Sequence, residues 1–183
     1  CLNDMVTYRR VADHHIHNGT LDTIVQFTGR NKYDLMMGMF NELEFWEEIK
    51  PLIHFISDNA IDYAELDDHV FVHGWIPCEK YDPDTKSYWQ YGKTFEYNPD
   101  WRNCNDVEWE SARWINGIRR ALEEKIIEPH KTIICGHWHC SEGWAMVEDR
   151  YDFGEDAKWE PFVAEGIIAI DRCTAHTNEC NVL

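Results

Sequence analysis

The chain has 183 residues and carries a formal net charge of −17 at pH 7, with a sequence pI near 4.8. A surface this acidic repels phosphate backbones and anionic lipid headgroups, so we expect neither nucleic acid nor a membrane among its partners. Apolar residues make up 44% of the chain and aromatic residues 14%, which is typical of a globular protein. We expect a single domain over residues 1–183.

The seven cysteines show no CxxC pair and no zinc-finger spacing. This pattern is typical of reduced thiols and predicts a cytoplasmic location. Cys135 falls inside an apolar run, where a free cysteine behaves as a small buried hydrophobe. Cys140 follows two histidines closely and is a secondary candidate for a soft metal ligand.

The first sixty residues favour helices, because apolar side chains recur there at helical spacing. We predict one helix over residues 2–16, a short one over 20–27, and a longer one that Pro51 interrupts or restarts. The apolar face of the longer helix would carry Met36, Met39, Phe40, Leu43 and Trp46. The first helix closes with three histidines that suit its C-terminal dipole better than a metal ion, namely His14, His15 and His17.

Residues 61–66 then alternate between apolar and polar side chains, as a half-buried strand should. A turn at Asp67 and Asp68 leads into a second apolar run that ends at His73 and Gly74, so the two runs predict a β-hairpin. The histidine after the second strand is either a core side chain bonded to backbone or a metal ligand.

Residues 76–106 are rich in Pro, Asp, Asn, Tyr and Trp and have no clear period. A long irregular stretch inside a compact domain is usually functional, so we expect an active-site flap here. Its aromatic side chains would either pack on the core or stack on a substrate ring: Tyr88, Trp89, Tyr91, Tyr97 and Trp101. An amphipathic helix is predicted over residues 109–126, ahead of Pro129.

A buried strand that ends in two histidines is the most informative stretch of the sequence. Residues 132–139 read Thr-Ile-Ile-Cys-Gly-His-Trp-His, so His137 and His139 would leave the strand at the carboxyl edge of a sheet. If this strand runs parallel to the one before His73, the three imidazoles meet at one point. Imidazole nitrogen suits Zn, Fe, Mn or Ni, and the sequence therefore predicts a metal site there.

The last part of the chain is predicted as a loop followed by two strands. Residues 142–160 are polar and turn-rich. Residues 166–171 predict a buried strand, and residues 180–183 begin its partner. His176 lies between the two and is expected to be a turn histidine.

Taken in order, these motifs resemble the calcineurin-like metallophosphoesterases, and specifically their bacterial serine/threonine-phosphatase-like branch. The resemblance rests on Val72-His73-Gly74 together with Gly136-His137-Trp138-His139. Four further segments match in the same order, at residues 17–20, 109–114, 166–171 and 181–183. The match covers essentially the whole chain.

The resemblance implies an α/β fold that is part of a four-layer α/β/β/α sandwich. It implies hydrolysis of a phosphomonoester or a phosphoprotein with two divalent metal ions (Mn, Fe or Zn), His73 and His137 binding one and His139 the other. It also implies that Arg113 binds the substrate's phosphate, since relatives carry an arginine close to the matching tryptophan and a guanidinium binds phosphate bidentately. Arg102 is a second choice for that role.

In this family the metal site begins with Asp-x-His, Gly-Asp-x-x-Asp and Gly-Asn-His-Glu motifs, and the resemblance places residue 1 after them. The chain would then be the C-terminal portion of the domain, and an N-terminal segment or a homodimer partner would complete its site. Two other classes stay open. One is a mononuclear three-histidine zinc hydrolase that is complete in itself. The other is a non-catalytic acidic binding domain whose histidines are structural.

Overall fold

The computed structural model describes residues 5, 8, 10–17, 19–38, 43–81 and 93–183, and it divides the chain into two compact units, Cys1–Ala60 and Ile61–Leu183. Helices and strands are both present, so the class is mixed α/β as the sequence predicts. That the whole chain is one domain stays a prediction. Within the described ranges, no helix is both long enough and apolar enough to cross a lipid bilayer.

The first unit is helical where the structure describes it. Its helices are α1 (Asp13–His17), α2 (Thr20–Thr28), α3 (Lys32–Met36) and α4 (Leu43–Asn59). The second of these confirms the short helix predicted over 20–27. Five fully buried apolar side chains form a small core, namely Met5, Leu21, Ile24, Leu35 and Ile49.

Three predictions for this unit need correction. Of the helix predicted over 2–16, the described residues 5 and 8 are helical, but residues 10–12 are not, and α1 starts after this break at Asp13. Met36 is 49% exposed, because Leu35 takes the buried position. Pro51 lies on an exposed face inside α4, where the helix continues past the one backbone hydrogen bond that a proline removes. The rest of the predicted apolar face lies outside the described residues or side chains: Met39, Phe40, Leu43 and Trp46.

A five-stranded mixed sheet organises the second unit. The strands of this unit are β1 (Tyr63–Leu66), β2 (His69–Val72), β3 (Glu79–Tyr81), β4 (Lys93–Phe95), β5 (Thr132–His139), β6 (Phe162–Ala164) and β7 (Ile167–Asp171). The sheet has the order β1-β2-β5-β7-β6. β1 and β2 form the predicted antiparallel hairpin, and β2, β5 and β7 run parallel. Strands buried on both faces need apolar runs, and Val70, Ile133 and Ile167 from these three strands are fully buried.

The stretch predicted as an irregular flap contains a β-ribbon, in which β3 pairs antiparallel with β4, and a 3-10 turn at Trp101–Asn103. Trp101 is fully buried and Tyr97 packs against the core, so these two rings pack rather than stack on a substrate. Residues 82–92 lie outside the described residues, and with them the other three candidate rings, Tyr88, Trp89 and Tyr91.

The single helix predicted over 109–126 is two shorter helices, α5 (Asp106–Ala112) and α6 (Gly117–Leu122). The side chains of Asn105 and Asn116 cap their N-termini. A β-carbon at Gly117 would lie 2.3 Å from the Trp75 ring, so only glycine lets α6 pack this closely on the chain that follows β2. The break therefore comes from a tertiary contact that the local apolar period does not reveal.

Residues 142–160 are not the loop that their composition predicts, because helix α7 (Cys140–Glu148) covers the first part of this segment. Gly143 allows α7 to lie against the Phe162 ring, where a β-carbon would come within 2.4 Å. Apolar packing on β6 thus outweighs the polar composition of the segment.

The strand Ile167–Asp171 confirms the prediction for residues 166–171, but its antiparallel neighbour is β6 and residues 180–183 form no strand. A short helix, α8 (Thr174–Thr177), follows β7 and contains His176. The Asn181 side chain donates hydrogen bonds to the carbonyls of Trp159 (2.8 Å) and Ile170 (3.2 Å). These side-chain bonds hold the segment around Asn181 beside β7, although it forms no strand hydrogen bonds with β7.

Candidate active site

Three parallel strands end at one edge of the sheet and bring two histidines and an aspartate together. His73 directly follows β2, His137 lies near the end of β5, and Asp171 closes β7. The Gly136 N–H donates a 2.9 Å hydrogen bond to the His73 carbonyl. A β-carbon at Gly136 would lie 3.9 Å from the Asp171 β-carbon. The carboxyl edge of a parallel sheet is where α/β proteins place their ligand sites.

The rings of His73 and His137 are neighbours, with centroids 5.1 Å apart and planes inclined by 43°. His137 has a left-handed backbone, with φ of 66°, and lies where the pairing of β5 with β7 shifts between Cys135 and His139. Left-handed residues other than glycine are uncommon, and they concentrate at functional sites. His137 thus combines an irregular backbone with a ring that lies next to His73.

Burial lowers the pKa of both imidazoles. His73 keeps contact with solvent, but surrounding protein atoms displace part of its hydration and lower its pKa, and the positive charge of Arg113 lowers the pKa further. For His137 burial again comes first, followed by the charges of His73 and His139. The lowered pKa values favour the neutral imidazole, which is the form that binds a metal ion.

Asp171 is the site residue that sequence reasoning missed. Its negative charge raises the pKa of His73 and of His137, against the effect of burial. Its Oδ1 accepts a 2.7 Å hydrogen bond from the Cys173 N–H, which fixes the carboxylate at the strand end. The same pattern that identified His73, an apolar strand followed at once by a polar side chain, would have identified Asp171.

His139, the third predicted metal ligand, faces an aromatic group. It lies opposite Asp171 in the pairing of β5 with β7, and its ring lies 5.0 Å from Phe153 and 6.1 Å from Trp159. Among the described residues, no three His, Cys, Asp or Glu side chains are gathered closely enough to hold a metal ion. The structure thus brings His73 and His137 together, and the full three-histidine set stays a prediction.

Arg113 lies close to the pair. It follows α5 directly, and a β-carbon at Gly74 would lie 2.5 Å from the Arg113 carbonyl oxygen, so this backbone lies against the residue after His73. Its guanidinium forms an ion pair with Asp62, and its side chain is 48% exposed. An exposed ion pair contributes little to stability, so the pairing with Asp62 does not lock the Arg113 side chain in place.

The other two candidates are held by protein groups. The Arg102 guanidinium donates to Glu65 (2.6 Å) and Glu128 (2.8 Å) and lies 4.2 Å from the centre of the Trp101 ring. Cys140 is buried, its Sγ lies 3.2 Å from the Trp159 carbonyl oxygen, and burial raises the pKa of its thiol to about 11. Cys140 and Arg102 each have protein partners in this structure, the Trp159 carbonyl for the thiol and two carboxylates for the guanidinium.

Comparison with protein-family models, with curated proteins and with solved structures found no match for this chain.

Proposed function

We propose that this chain supplies part of the active site of a metal-dependent phosphoesterase of the calcineurin-like type. The observation that carries the proposal is the convergence of His73 and His137, with Asp171 beside them, at the carboxyl edge of three adjacent parallel strands. The mixed sheet suits the second sheet of the four-layer sandwich that the sequence resembles, with α5 and α6 among its helices.

Each residue would have a distinct role. Imidazole nitrogens suit first-row divalent metals, so His73 and His137 would be ligands, and His139 would join them by turning away from Phe153 and Trp159. When bound, the metal ions would lower the pKa of a water molecule and neutralise phosphate oxygens. Arg113 would bind the remaining phosphate oxygens as a bidentate donor. The negative charge of Asp171 would attract metal cations to the ends of these strands.

The remaining ligands of a dinuclear centre would come from outside residues 1–183, either from the N-terminal motifs of the family or from a homodimer partner. Two imidazoles carry no negative charge and hold a pair of dications poorly. We therefore expect hydrolysis of p-nitrophenyl phosphate with Mn²⁺ only when a segment carrying those motifs precedes residue 1. Rapid turnover by the 183-residue chain alone would contradict an incomplete site.

The test uses the protein in which a segment carrying those motifs precedes residue 1, here called the completed protein, with His137→Ala as the key variant. Removing the His137 imidazole as a ligand of the metal should lower kcat/KM by about 100-fold or more. His69→Ala is the matched control. His69 is the first residue of β2, at the end of that strand away from His73, and it is paired with Asp68. Equal activity of His137→Ala and His69→Ala would contradict the proposed function.

Metal content separates the two other classes. Exactly one zinc per 183-residue chain, together with turnover, would favour a mononuclear three-histidine hydrolase. A His137→Ala protein with unchanged metal content and unchanged thermal stability would favour a non-catalytic acidic binding domain.

A further inference from the structure

A groove of about 760 Å³ lies beside the candidate active site. β3 and β4 line one side of it, and α6 and the turn before it line the other. Its aromatic side chains are Phe95, Trp114 and Trp138. Its lining lies entirely within the second unit of the fold.

Two tryptophans in this groove keep large parts of their surface exposed. Trp114 is 51% exposed and Trp138 is 41% exposed. The Trp138 indole N–H donates a 3.3 Å hydrogen bond to the Trp114 carbonyl. This bond fixes the Trp138 ring relative to the backbone at Trp114. Leaving two indoles of one groove exposed forgoes the free energy of burying them, and exposed apolar patches mark binding sites.

The candidate metal ligand His137 contacts both tryptophans of the groove. The Trp114 ring centroid lies 5.2 Å from that of His137, with the planes nearly perpendicular at 83°. The Trp138 ring centroid lies 6.0 Å from the same imidazole. A group bound against these tryptophans would therefore lie near a phosphate held at His73 and His137.

The charges of the groove are already paired. Lys93 lies 2.8 Å from Glu79, Arg119 lies 2.7 Å from Glu142, and Arg120 lies 3.0 Å from Glu124. The Arg120 guanidinium also lies 3.8 Å from the centre of the Phe95 ring. Because each cation has a carboxylate partner, the groove offers an aromatic surface and no excess positive charge for a second phosphate.

We infer that this groove binds the aromatic ring of an aryl phosphomonoester, so that the enzyme prefers aryl over alkyl phosphates. The inference rests on the proposed function for the phosphate end of the substrate. In the reaction the oxygen of water bonds to phosphorus, the bond from phosphorus to the ring oxygen breaks, and a proton of that water passes to the departing phenolate. The products are a phenol and inorganic phosphate. Offset or edge-to-face contact with two indoles stabilises the ring.

The ring site is tested on the 183-residue chain without any phosphate, by NMR of the indole N–H resonances. Phenol, added to tens of millimolar, should shift the resonances of Trp114 and Trp138, whereas cyclohexanol should shift them several-fold less. The Trp144 resonance is the internal control, because its N–H is bonded to the Glu160 carbonyl at 3.0 Å outside the groove. Phenol that moves neither groove resonance would overturn the inference.

The preference is tested on the completed enzyme with phenyl phosphate and glycerol phosphate. Trp138→Ala and Trp114→Ala should each lower kcat/KM on phenyl phosphate by about five- to tenfold more than kcat/KM on glycerol phosphate, so that the ratio of the two is the readout. Trp114→Phe should recover part of the loss, and the exposed Tyr151→Ala is the matched control. Because each variant is measured on both substrates, intrinsic differences between the leaving groups cancel.

The two proposals fail in different ways. Equal losses on both substrates would overturn the ring preference while leaving phosphoester hydrolysis in place. Shifts of Trp114 and Trp138 with phenol, in a protein whose completed form hydrolyses no phosphoester, would uphold the ring site and contradict the proposed function.

Discussion

The polar side chains at the two ends of the central sheet differ in whether other protein groups bond to them. At the amino end of β5, Arg102 is bonded to Glu65 and Glu128, and Lys131 lies 2.9 Å from Glu65. At the carboxyl end, the His73 and His137 rings are adjacent. Within the described part of the chain, no protein group forms a hydrogen bond with a nitrogen of either ring. Paired polar groups stabilise a fold, and concentrated unpaired ones are available to a ligand.

The amino-end cluster is built around one buried carboxylate. Glu128 is 7% exposed and accepts hydrogen bonds from the Trp101 indole, the Tyr97 hydroxyl and Arg102, each at 2.8 Å. Burial by itself would raise the pKa of Glu128, but these donors outweigh burial and hold that pKa below its usual value. The group therefore stays charged and satisfied inside the fold.

The largest effect we expect is from breaking this cluster. Glu128→Ala would leave the Trp101 and Tyr97 donors without their acceptor and Arg102 with Glu65 alone, and it should lower the free energy of unfolding by about 3–5 kcal/mol. Urea unfolding followed by tryptophan fluorescence measures the change. Glu128→Gln keeps one acceptor oxygen and should cost less. A change below about 1 kcal/mol for Glu128→Ala would show that the cluster is not a stabilising element.

The amino end should also respond to acid. Hydrogen bonds from Arg102 and then Lys131 lower the pKa of Glu65 from 4.5 to about 2. A carboxylate with a lowered pKa in the folded state stabilises that state above pH 4.5, and the contribution disappears as the pH falls towards 2. Subtracting the stability of Glu65→Gln from that of the parent protein isolates this effect, which we expect at about 1–2 kcal/mol near neutral pH. A difference that does not change between pH 6 and pH 3 would contradict it.

The carboxyl end should behave in the opposite way. His137→Gly relieves a left-handed conformation that histidine adopts at some cost, so the metal-free protein should become more stable by up to about 1 kcal/mol. The same change should abolish metal binding. A loss of more than about 2 kcal/mol in the metal-free protein would instead assign His137 a structural role.

The sequence predicted the pairing of His73 with His137 because two apolar strands each ended in histidine and glycine, and strands of that composition pair in parallel. Asp171 ends an apolar strand of the same pattern, but the predicted ligands were all imidazoles and the carboxylate was not among them. The break between α5 and α6 depends on Gly117 against Trp75, a contact across 42 positions of sequence that no local period contains. The three-residue strand β6 is too short for any alternation to stand out.

The most direct test is a Zn²⁺ titration of the 183-residue chain, followed through the imidazole resonances of all its histidines. The account predicts that the His73 and His137 resonances shift together at micromolar to submillimolar zinc, while His69 at the other end of β2 does not respond. It predicts that His137→Gly removes the shift of His73. Zinc that leaves both resonances in place, or that shifts His69 equally, would contradict a metal site at this edge of the sheet.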